Sequence, residues 1–284
     1  SCAMFTFPVA VNRGVERARG FVLGATVRRR ALAAALAWVV FGLVSVHPAS
    51  GGSVTTALLS DPVRHADDYY LGRHNTENVY RALDLLRAAV ARNPGDYEAW
   101  WRIARSAFYL AGRSPQPERV KLLAEGVQAG KRAVALAPDR VEGHFWLGAN
   151  YSLTAESRHF LRGLSLVDVI RREMETVVRL DSDYEQGAGL QTLARVYYRA
   201  PFFKGGDKRR SMELLEDCLT RYPENALTML YLADSYLALG LRLEAREQLE
   251  GLLALCPDPQ YGPELAAHQD EARARLARHF RAQR

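Results

Sequence analysis

Few side chains in this sequence have the types and spacing that catalysis or metal binding requires. His144 and His159 are the best candidate pair among seven scattered histidines, but a metal site needs more ligands, so we expect His144 to be packed inside the fold. We expect Asp181 and Asp183 to cap a helix rather than to act as an acid and base pair. The run Gly205–Lys208 lacks the glycine spacing and the Ser or Thr of a phosphate loop. The sequence therefore predicts a non-enzymatic protein without a cofactor or a metal ion.

The positive charge of the chain is concentrated in its first residues. The formal net charge is +6, and residues 1–56 contain six arginines and one glutamate. The remaining residues carry 32 basic and 31 acidic side chains, which leaves a net charge of +1. Nucleic-acid binding requires a large cationic surface against the phosphate backbone. The charge distribution therefore predicts no nucleic-acid partner.

Residues 1–55 have the pattern of an export leader. Three arginines at 28–30 precede an uncharged apolar run at 31–46, and small, turn-forming residues follow, as is typical of a secretory signal. The run is shorter than the roughly 20 residues that span a membrane, so both a cleaved signal and an uncleaved anchor stay open. We expect residues 56–284 to be periplasmic or extracytoplasmic, either soluble or tethered to the inner membrane through that anchor.

Two cysteines, Cys218 and Cys256, lie in the body of the chain. Each falls within or at the end of an apolar helical stretch. Free cysteine is among the most buried residue types, so we expect two buried thiols. A single disulfide between them is the alternative in an oxidising compartment.

Four segments of the body repeat one local pattern. Each contains a large aliphatic residue followed at once by a small residue, and in the last three an aromatic residue lies four positions after the aliphatic one. Residues three and four apart share a helix face, so the small residue lets a second helix approach while the larger two fill the groove. The pairs are Ile103-Ala104, Leu147-Gly148, Leu193-Ala194 and Leu232-Ala233, and the aromatic residues are Tyr151, Tyr197 and Tyr236.

Helix-breaking and capping residues precede each segment, as at 93–96 and 222–224. No strand-like alternation of apolar residues occurs, so the sequence predicts an all-α fold. The aliphatic–small pairs are 44, 46 and 39 residues apart. Compared with a helical-hairpin repeat of about 34 residues, these longer spacings imply insertions at 114–118, 158–168 and 200–208.

The second helix of each unit completes a known repeat pattern. In the last unit, the Leu232 pair is followed by Ala245, Leu249, Leu252 and Pro257. The same spacing recurs earlier in the chain, at Ala82, Leu86, Ala89 and Pro94. This pattern resembles the tetratricopeptide repeat (TPR), a hairpin of about 34 residues. The resemblance implies a TPR-like helical-hairpin solenoid of about four to five irregular repeats over residues 56–284. The thin apolar stripe of residues 264–280 predicts a C-terminal capping helix.

One turn carries a narrower resemblance. The run from Ala200 to Asp207 contains a proline and the turn Gly205-Gly206-Asp207 before a helix, and it resembles a signature of the T component of tripartite ATP-independent periplasmic (TRAP) transporters. That family consists of exported TPR-like proteins, although this sequence lacks the lipid-attachment cysteine of many members. The turn also has a plain structural interpretation, in which the glycines form the turn and Asp207 caps the next helix.

The transporter resemblance implies an accessory protein that docks to a periplasmic solute-binding protein or channels its ligand. It also implies homo-oligomers, with a trimer as one form. Mitochondrial regulators of microtubule dynamics have related repeats, but the bacterial-type leader favours the transporter family. Two hypotheses follow: a scaffold that recruits a protein partner, and a transport module that contacts a small ligand itself.

In TPR arrays the first helix of each hairpin lines the concave face, which predicts a binding face rich in aromatic residues and arginines. Such side chains dominate protein interfaces and suit a peptide terminus or a carboxylate. We expect Arg105→Ala and Arg195→Ala to weaken binding without unfolding the domain; the alternative for Trp101 and Phe145 is packing between repeats. The predicted face comprises Glu98, Trp101, Arg105, Phe108, Tyr109, Glu142, Phe145, Gln191, Arg195, Tyr198, Arg199 and Asp234. The predicted core includes Trp100, Leu147, Tyr151, Tyr197, Leu232 and Tyr236.

Overall fold

The computed structural model describes residues 61–157, 163–256 and 262–280 of the chain. Within these ranges it contains eleven α-helices, one short 3-10 turn and no β-strand, so the all-α prediction is confirmed. The predicted leader, His159 and the first part of the predicted insertion at 158–168 lie outside the described residues.

The first ten helices pair as five consecutive hairpins, and the eleventh helix packs against the last hairpin. Each helix contacts the next one along the chain, which is the arrangement of a helical-hairpin solenoid. The predicted number of repeats and the predicted capping helix are confirmed. The helices are α1 (Pro62–Leu71), α2 (Thr76–Arg92), α3 (Tyr97–Arg113), α4 (Glu118–Leu136), α5 (Val141–Ser157), α6 (Val167–Leu180), α7 (Ala188–Arg199), α8 (Lys208–Arg221), α9 (Ala226–Leu239), α10 (Arg242–Ala254) and α11 (Gly262–His279).

Small residues lie where neighbouring helices approach most closely. A Cβ atom built on Gly148 of α5 would lie 2.1 Å from Cε of Met174 on α6. A Cβ atom on Gly130 of α4 would lie 2.8 Å from Cα of Leu147 on α5. Both distances are far below normal van der Waals contact. At Gly130 the neighbour is backbone, so a larger residue would separate the helices, whereas at Gly148 the neighbour is the flexible end of the Met174 side chain, which could shift. The alanines of the other three aliphatic–small pairs are fully buried: Ala104, Ala194 and Ala233.

Only some of the larger residues of the repeat pattern are as buried as predicted. Leu147 and Leu232 are buried, as expected. The aromatic residues expected beside them are only half-buried and pack against the edge of the core: Trp100, Tyr151, Tyr197 and Tyr236. Tyrosine and tryptophan keep a polar atom that needs a partner, and the Trp100 indole N–H donates to the Pro94 carbonyl at 2.9 Å.

Several helices begin at the capping residues that the sequence indicates. The Asp96 carboxylate accepts a hydrogen bond from the Ala99 N–H at the start of α3. Asn225 caps α9 in the same way through the Thr228 N–H. Each cap satisfies a backbone donor that has no partner within its own helix, and it therefore fixes where the helix starts.

Asp181 and Asp183 do not cap the helix that follows them, so that part of the prediction is wrong; Asp181 is instead the C-terminal capping residue of α6. Both lie in the turn after α6, where the Asp181 carboxylate accepts a hydrogen bond from the Asp183 N–H at 2.9 Å. The next helix, α7, begins only at Ala188, and its N-terminal capping residue is Gly187. Residues 185–187 have φ angles of 49°, 55° and 77°, so the chain makes a left-handed reversal first. This reversal separates the two aspartates from the first N–H groups of α7.

The two cysteines differ in their environment. Cys218 is buried, as predicted, whereas Cys256 is exposed and the expectation of a second buried thiol is wrong. Cys256 follows the last turn of α10, where the apolar face of the helix has ended. Both cysteines are free thiols in the structure.

The capping helix α11 buries the apolar stripe that the sequence predicts. Leu265 and Ala272 are buried, and Leu276 and Phe280 pack against the last hairpin. Within the described residues, no helix has the length and apolar character needed to cross a membrane.

Candidate functional site: the inner face of the odd-numbered helices

The odd-numbered helices contact one another in addition to their hairpin partners. These additional contacts join α1 to α3, α3 to α5, α7 to α9 and α9 to α11. Ion pairs also connect these helices, and the arginine side chains of these pairs lie against aromatic rings. We call this surface the inner face, and its charged members are Asp67, Arg102, Arg105, Arg195, Asp234 and Arg275.

At the N-terminal end of the inner face, Asp67 of α1 binds two arginines of α3. Its carboxylate accepts hydrogen bonds from Arg102 Nε at 2.9 Å and from Arg105 Nη2 at 2.5 Å. The Arg105 guanidinium also lies 3.9 Å from the ring centroid of Tyr70. Burial opposes ionisation of Asp67, but the Arg102 hydrogen bond and the Arg105 charge outweigh it and hold the pKa below its usual value.

At the C-terminal end of the inner face, Asp234 of α9 likewise binds two arginines, one on α7 and one on α11. It accepts hydrogen bonds from Arg195 of α7 at 2.9 Å and from Arg275 of α11 at 2.7 Å. The Arg195 guanidinium lies 4.8 Å from the ring of Tyr198 and 4.5 Å from that of Tyr231. Burial disfavours the charge of Asp234, yet the Arg275 hydrogen bond and the Arg195 charge keep its pKa low. Both ends of the inner face therefore hold charged, paired groups at neutral pH.

A third ion pair joins the first hairpin to the capping helix. Arg73, in the turn after α1, donates to the Glu264 carboxylate of α11 through Nε at 3.1 Å and Nη2 at 3.2 Å. Both side chains are buried, and the Tyr109 hydroxyl donates to the Arg73 carbonyl at 2.7 Å. This contact spans 191 residues of sequence. The N-terminus of α11 therefore lies beside the end of the first hairpin.

The structure divides the predicted binding residues by exposure. Most of them are buried within the inner face or the core beneath it, so a partner at the surface could not contact them directly. The buried members are Trp101, Arg105, Phe108, Tyr109, Phe145, Gln191 and Arg195. The members that solvent reaches are Glu98, Glu142, Tyr198 and Asp234, which are half-buried, and Arg199, which is exposed.

Burial changes what we expect from two of the predicted variants. Arg105 and Arg195 each have only a few per cent of their surface exposed, and each forms an ion pair with a carboxylate of a neighbouring odd-numbered helix. Truncating either residue removes a charge from a largely buried pair, which destabilises a fold. We therefore expect Arg105→Ala and Arg195→Ala to lower stability, and Tyr198 and Arg199 are better probes of binding.

The predicted turn Gly205-Gly206-Asp207 has the structural role that its residues indicate. Gly205 has φ 76°, and a Cβ atom on Gly206 would lie 1.9 Å from the Ala200 carbonyl oxygen. The Asp207 carboxylate accepts hydrogen bonds from the Arg209 and Arg210 N–H groups at 2.9 and 3.0 Å. The turn therefore needs both glycines and a capping acid, whatever else it does.

The expectation that His144 is packed is confirmed. Its Nδ1 lies 2.7 Å from the Glu173 carboxylate, and its Nε2 lies 2.9 Å from the Pro138 carbonyl. The Glu173 hydrogen bond raises the pKa of His144 despite partial burial. In the described part of the chain, no three His, Cys, Asp or Glu side chains cluster as metal ligands would.

Sequence reasoning missed a cavity of about 450 Å³ beside the left-handed reversal. It lies between the reversal, the α8–α9 turn and the N-terminus of α11. Burial raises the pKa of Glu185 to about 8, although the charges of Arg105 and Arg73 act against this. Burial also lowers the pKa of His268 to about 4. The run Glu185-Gln186 gives no sequence signal for positive φ angles, so this site could not be found without the structure.

Comparison with known proteins supports the fold and leaves the family open. A family profile described as regulator of microtubule dynamics protein 1-3 matches residues 63–187, which is less than half of the chain. This is the resemblance that the leader disfavoured, and the comparisons do not show the T-component family. A search of curated proteins finds no match.

Among solved structures, the chain is similar to TTC0263, a thermophilic TPR protein of Thermus thermophilus. The identity is 22% and the TM-score 0.53, over 76% of this chain and 96% of that one. The MamA crystal structure has 14% identity and a TM-score of 0.44, over 74% of this chain and 96% of that one. With the hairpins and close helix contacts above, the first likeness defines the chain as a TPR-like α-solenoid.

Proposed function

We propose that this protein is a non-enzymatic scaffold that binds a protein partner along its inner face. The observation that carries the proposal is the accessible pair Tyr198 and Arg199 beside the ion-paired group of Arg195 and Asp234. Arginine and tyrosine are enriched at the energetic centres of protein interfaces. Because neighbouring ion pairs already hold this surface in one arrangement, binding would cost little further ordering of side chains.

A binding measurement with matched variants tests this proposal. Tyr198→Ala and Arg199→Ala should each weaken capture of the partner by at least roughly tenfold, since truncating a hot-spot residue typically costs about 2 kcal/mol or more. Arg246→Ala is the control, because Arg246 is an exposed arginine of α10 that pairs with Glu250 one turn away. Equal binding by all three variants, with unchanged thermal unfolding, would exclude the inner face as the binding surface.

We further propose that the protein is exported and serves an extracytoplasmic solute-binding or transport system. The support is the basic and apolar pattern of the leader and the resemblance of the Gly205–Asp207 turn to the T component of TRAP transporters. Cell fractionation with N-terminal sequencing tests location, and native mass spectrometry tests for a homo-oligomer such as a trimer. A cytoplasmic full-length chain would contradict export, and an obligate monomer would contradict the proposed homo-oligomer.

The cavity beside Glu185 favours a second candidate function, small-ligand binding. Its volume of about 450 Å³ lies within the range of typical ligand pockets. Its walls combine apolar side chains with two titratable groups, Glu185, whose pKa burial raises to about 8, and His268, whose pKa burial lowers to about 4. A solute that is retained through purification and detected by native mass spectrometry would support this function if Leu265→Trp, which fills the cavity, displaces it. Retention unaffected by this change would contradict it.

A further inference from the structure

Two adjacent phenylalanines project into solvent between α7 and α8. Phe202 is 91% exposed and Phe203 is 73% exposed. Isolated apolar residues are common on protein surfaces, but two neighbouring large aromatic side chains at a protruding turn form a contiguous apolar tip. Neither ring contributes to the core, so packing does not explain their presence.

The backbone holds this tip in a defined conformation. Residues 202–204 form a 3-10 turn, in which the Gly205 N–H donates to the Phe202 carbonyl at 2.9 Å. The Gly206 N–H donates to the Pro201 carbonyl at 3.0 Å. From α6, Arg171 Nη2 donates to the Lys204 carbonyl at 2.5 Å. The two rings are therefore presented by a braced turn, and inserting them into an apolar layer would require little reordering of the backbone.

The surroundings of the tip are positively charged. Lys204 is paired with Asp168 at 2.7 Å, and Arg210 is paired with Glu213 at 3.1 Å. Even with these carboxylates counted, residues 168–172 and 199–213 contain seven cations against three acids, whereas residues 57–284 are close to neutral. The cations are Arg171, Arg172, Arg199, Lys204, Lys208, Arg209 and Arg210, and the acids are Asp168, Asp207 and Glu213.

We propose that the phenylalanine turn, residues 201–207, docks this domain onto an anionic membrane surface. An anionic bilayer offers an apolar layer for a protruding aromatic tip and negative headgroups for the cations around it. A protein partner would instead need a concave apolar pocket with an acidic rim that matches this convex tip. The bilayer satisfies both requirements without a shaped site, and the charge complementarity therefore favours it.

The experiment uses the full chain with an environment-sensitive fluorophore at the tip. The background is Cys2→Ser/Cys256→Ser, which leaves only the buried Cys218 thiol. A nitrobenzoxadiazole label is attached at Phe202→Cys. The matched control carries the label at Leu243→Cys, because Leu243 is 76% exposed on α10, away from the turn. The probe is vesicles of phosphatidylcholine alone or mixed equally with phosphatidylglycerol.

Vesicles that contain phosphatidylglycerol should increase the emission intensity of the label at position 202 several-fold and shift its emission to shorter wavelength. The emission of the label at position 243 should not change. If the vesicles were bound only through the leader, the labels at positions 202 and 243 would respond alike. Arg209→Gln/Arg210→Gln should weaken the response at least about tenfold in lipid concentration, because each cation near an anionic surface adds about 1 kcal/mol. Raised salt should act in the same direction.

Three outcomes would overturn the proposal. They are equal responses at positions 202 and 243, a response independent of phosphatidylglycerol, and the absence of any response to vesicles. A blue shift at position 202 that needs an added protein fraction and no lipid would assign the turn to a protein partner instead. Arg246→Ala, which removes an exposed cation of α10 outside the group around the phenylalanine turn, should leave the response to vesicles unchanged.

Discussion

Replacing Asp234 with alanine should destabilise the fold by about 3 kcal/mol. Its carboxylate accepts hydrogen bonds from Arg195 at 2.9 Å and from Arg275 at 2.7 and 3.2 Å, and so connects α7, α9 and α11. Removing one partner of a buried ion pair typically costs about 3–5 kcal/mol, because a buried charge loses its counter-charge. The lower end applies here, since Arg275 also pairs with Glu271.

Urea unfolding followed by circular dichroism measures this loss as a difference in the free energy of unfolding. Asp234→Asn retains the shape and some hydrogen bonding, so it should cost about 1–2 kcal/mol. Asp217→Ala removes the surface pair with Arg221 and should cost less than about 1 kcal/mol. A loss below about 1 kcal/mol for Asp234→Ala, or one equal to that of Asp217→Ala, would refute the stabilising role of the Asp234 pairs.

The same carboxylate should appear in the pH dependence of stability. Its pKa in the folded state is held below the usual 3.8, because the arginine contacts outweigh the effect of burial. A depressed pKa gives stabilisation that is complete above the unfolded-state value and is lost as pH falls through the folded-state value. Asp234→Ala should therefore make the acid limb of the stability curve shallower.

Further predictions concern two glycines and two cysteines. Gly130→Ala should destabilise the fold by about 1–2 kcal/mol, because overpacking against Leu147 exceeds the gain of about 1 kcal/mol in helix propensity. Gly112→Ala should instead stabilise the fold by up to about 1 kcal/mol, because nothing lies within 4 Å of the added Cβ atom. Urea titration gives the sign of the change in the free energy of unfolding for each variant. Equal changes in the two variants would contradict the close contact at Gly130. Cys256 should react with a thiol reagent in the native protein, whereas Cys218 should react only after unfolding because it is buried and its pKa is raised. Equal reaction rates would place Cys218 at the surface.

The sequence predicts the repeat structure well because the relevant signals are local. A small residue beside a large aliphatic one marks a close helix contact wherever it occurs, and Gly148 lies at such a contact. Capping residues are equally local, which is why Asp96 and Asp207 mark the starts of α3 and α8. Helix periodicity also suffices to identify the capping helix α11.

The proposed binding surface is harder to predict, because the exposure of a side chain depends on distant parts of the chain. The helical pattern of α3 places Trp101 and Arg105 on the inner side, but it does not indicate that Asp67 of α1 pairs with Arg105 there. The Arg73–Glu264 pair joins residues 191 positions apart, and no local pattern indicates it. The left-handed reversal was missed because Glu185 and Gln186 are not residues that favour positive φ angles. The sequence does not indicate that Phe202 and Phe203 are exposed, because adjacent large apolar residues are more often buried.

Site-specific crosslinking in intact cells tests the central claim, that the inner face is a protein-binding surface. A photoreactive phenylalanine analogue replaces Tyr198 in one version of the full chain, and Val120, an exposed residue in the first turn of α4, in the other. We predict a discrete protein adduct at position 198 that Arg199→Ala abolishes and Arg246→Ala retains, with no such adduct at position 120. An adduct at position 120 alone, or one at 198 that survives Arg199→Ala unchanged, would contradict this claim.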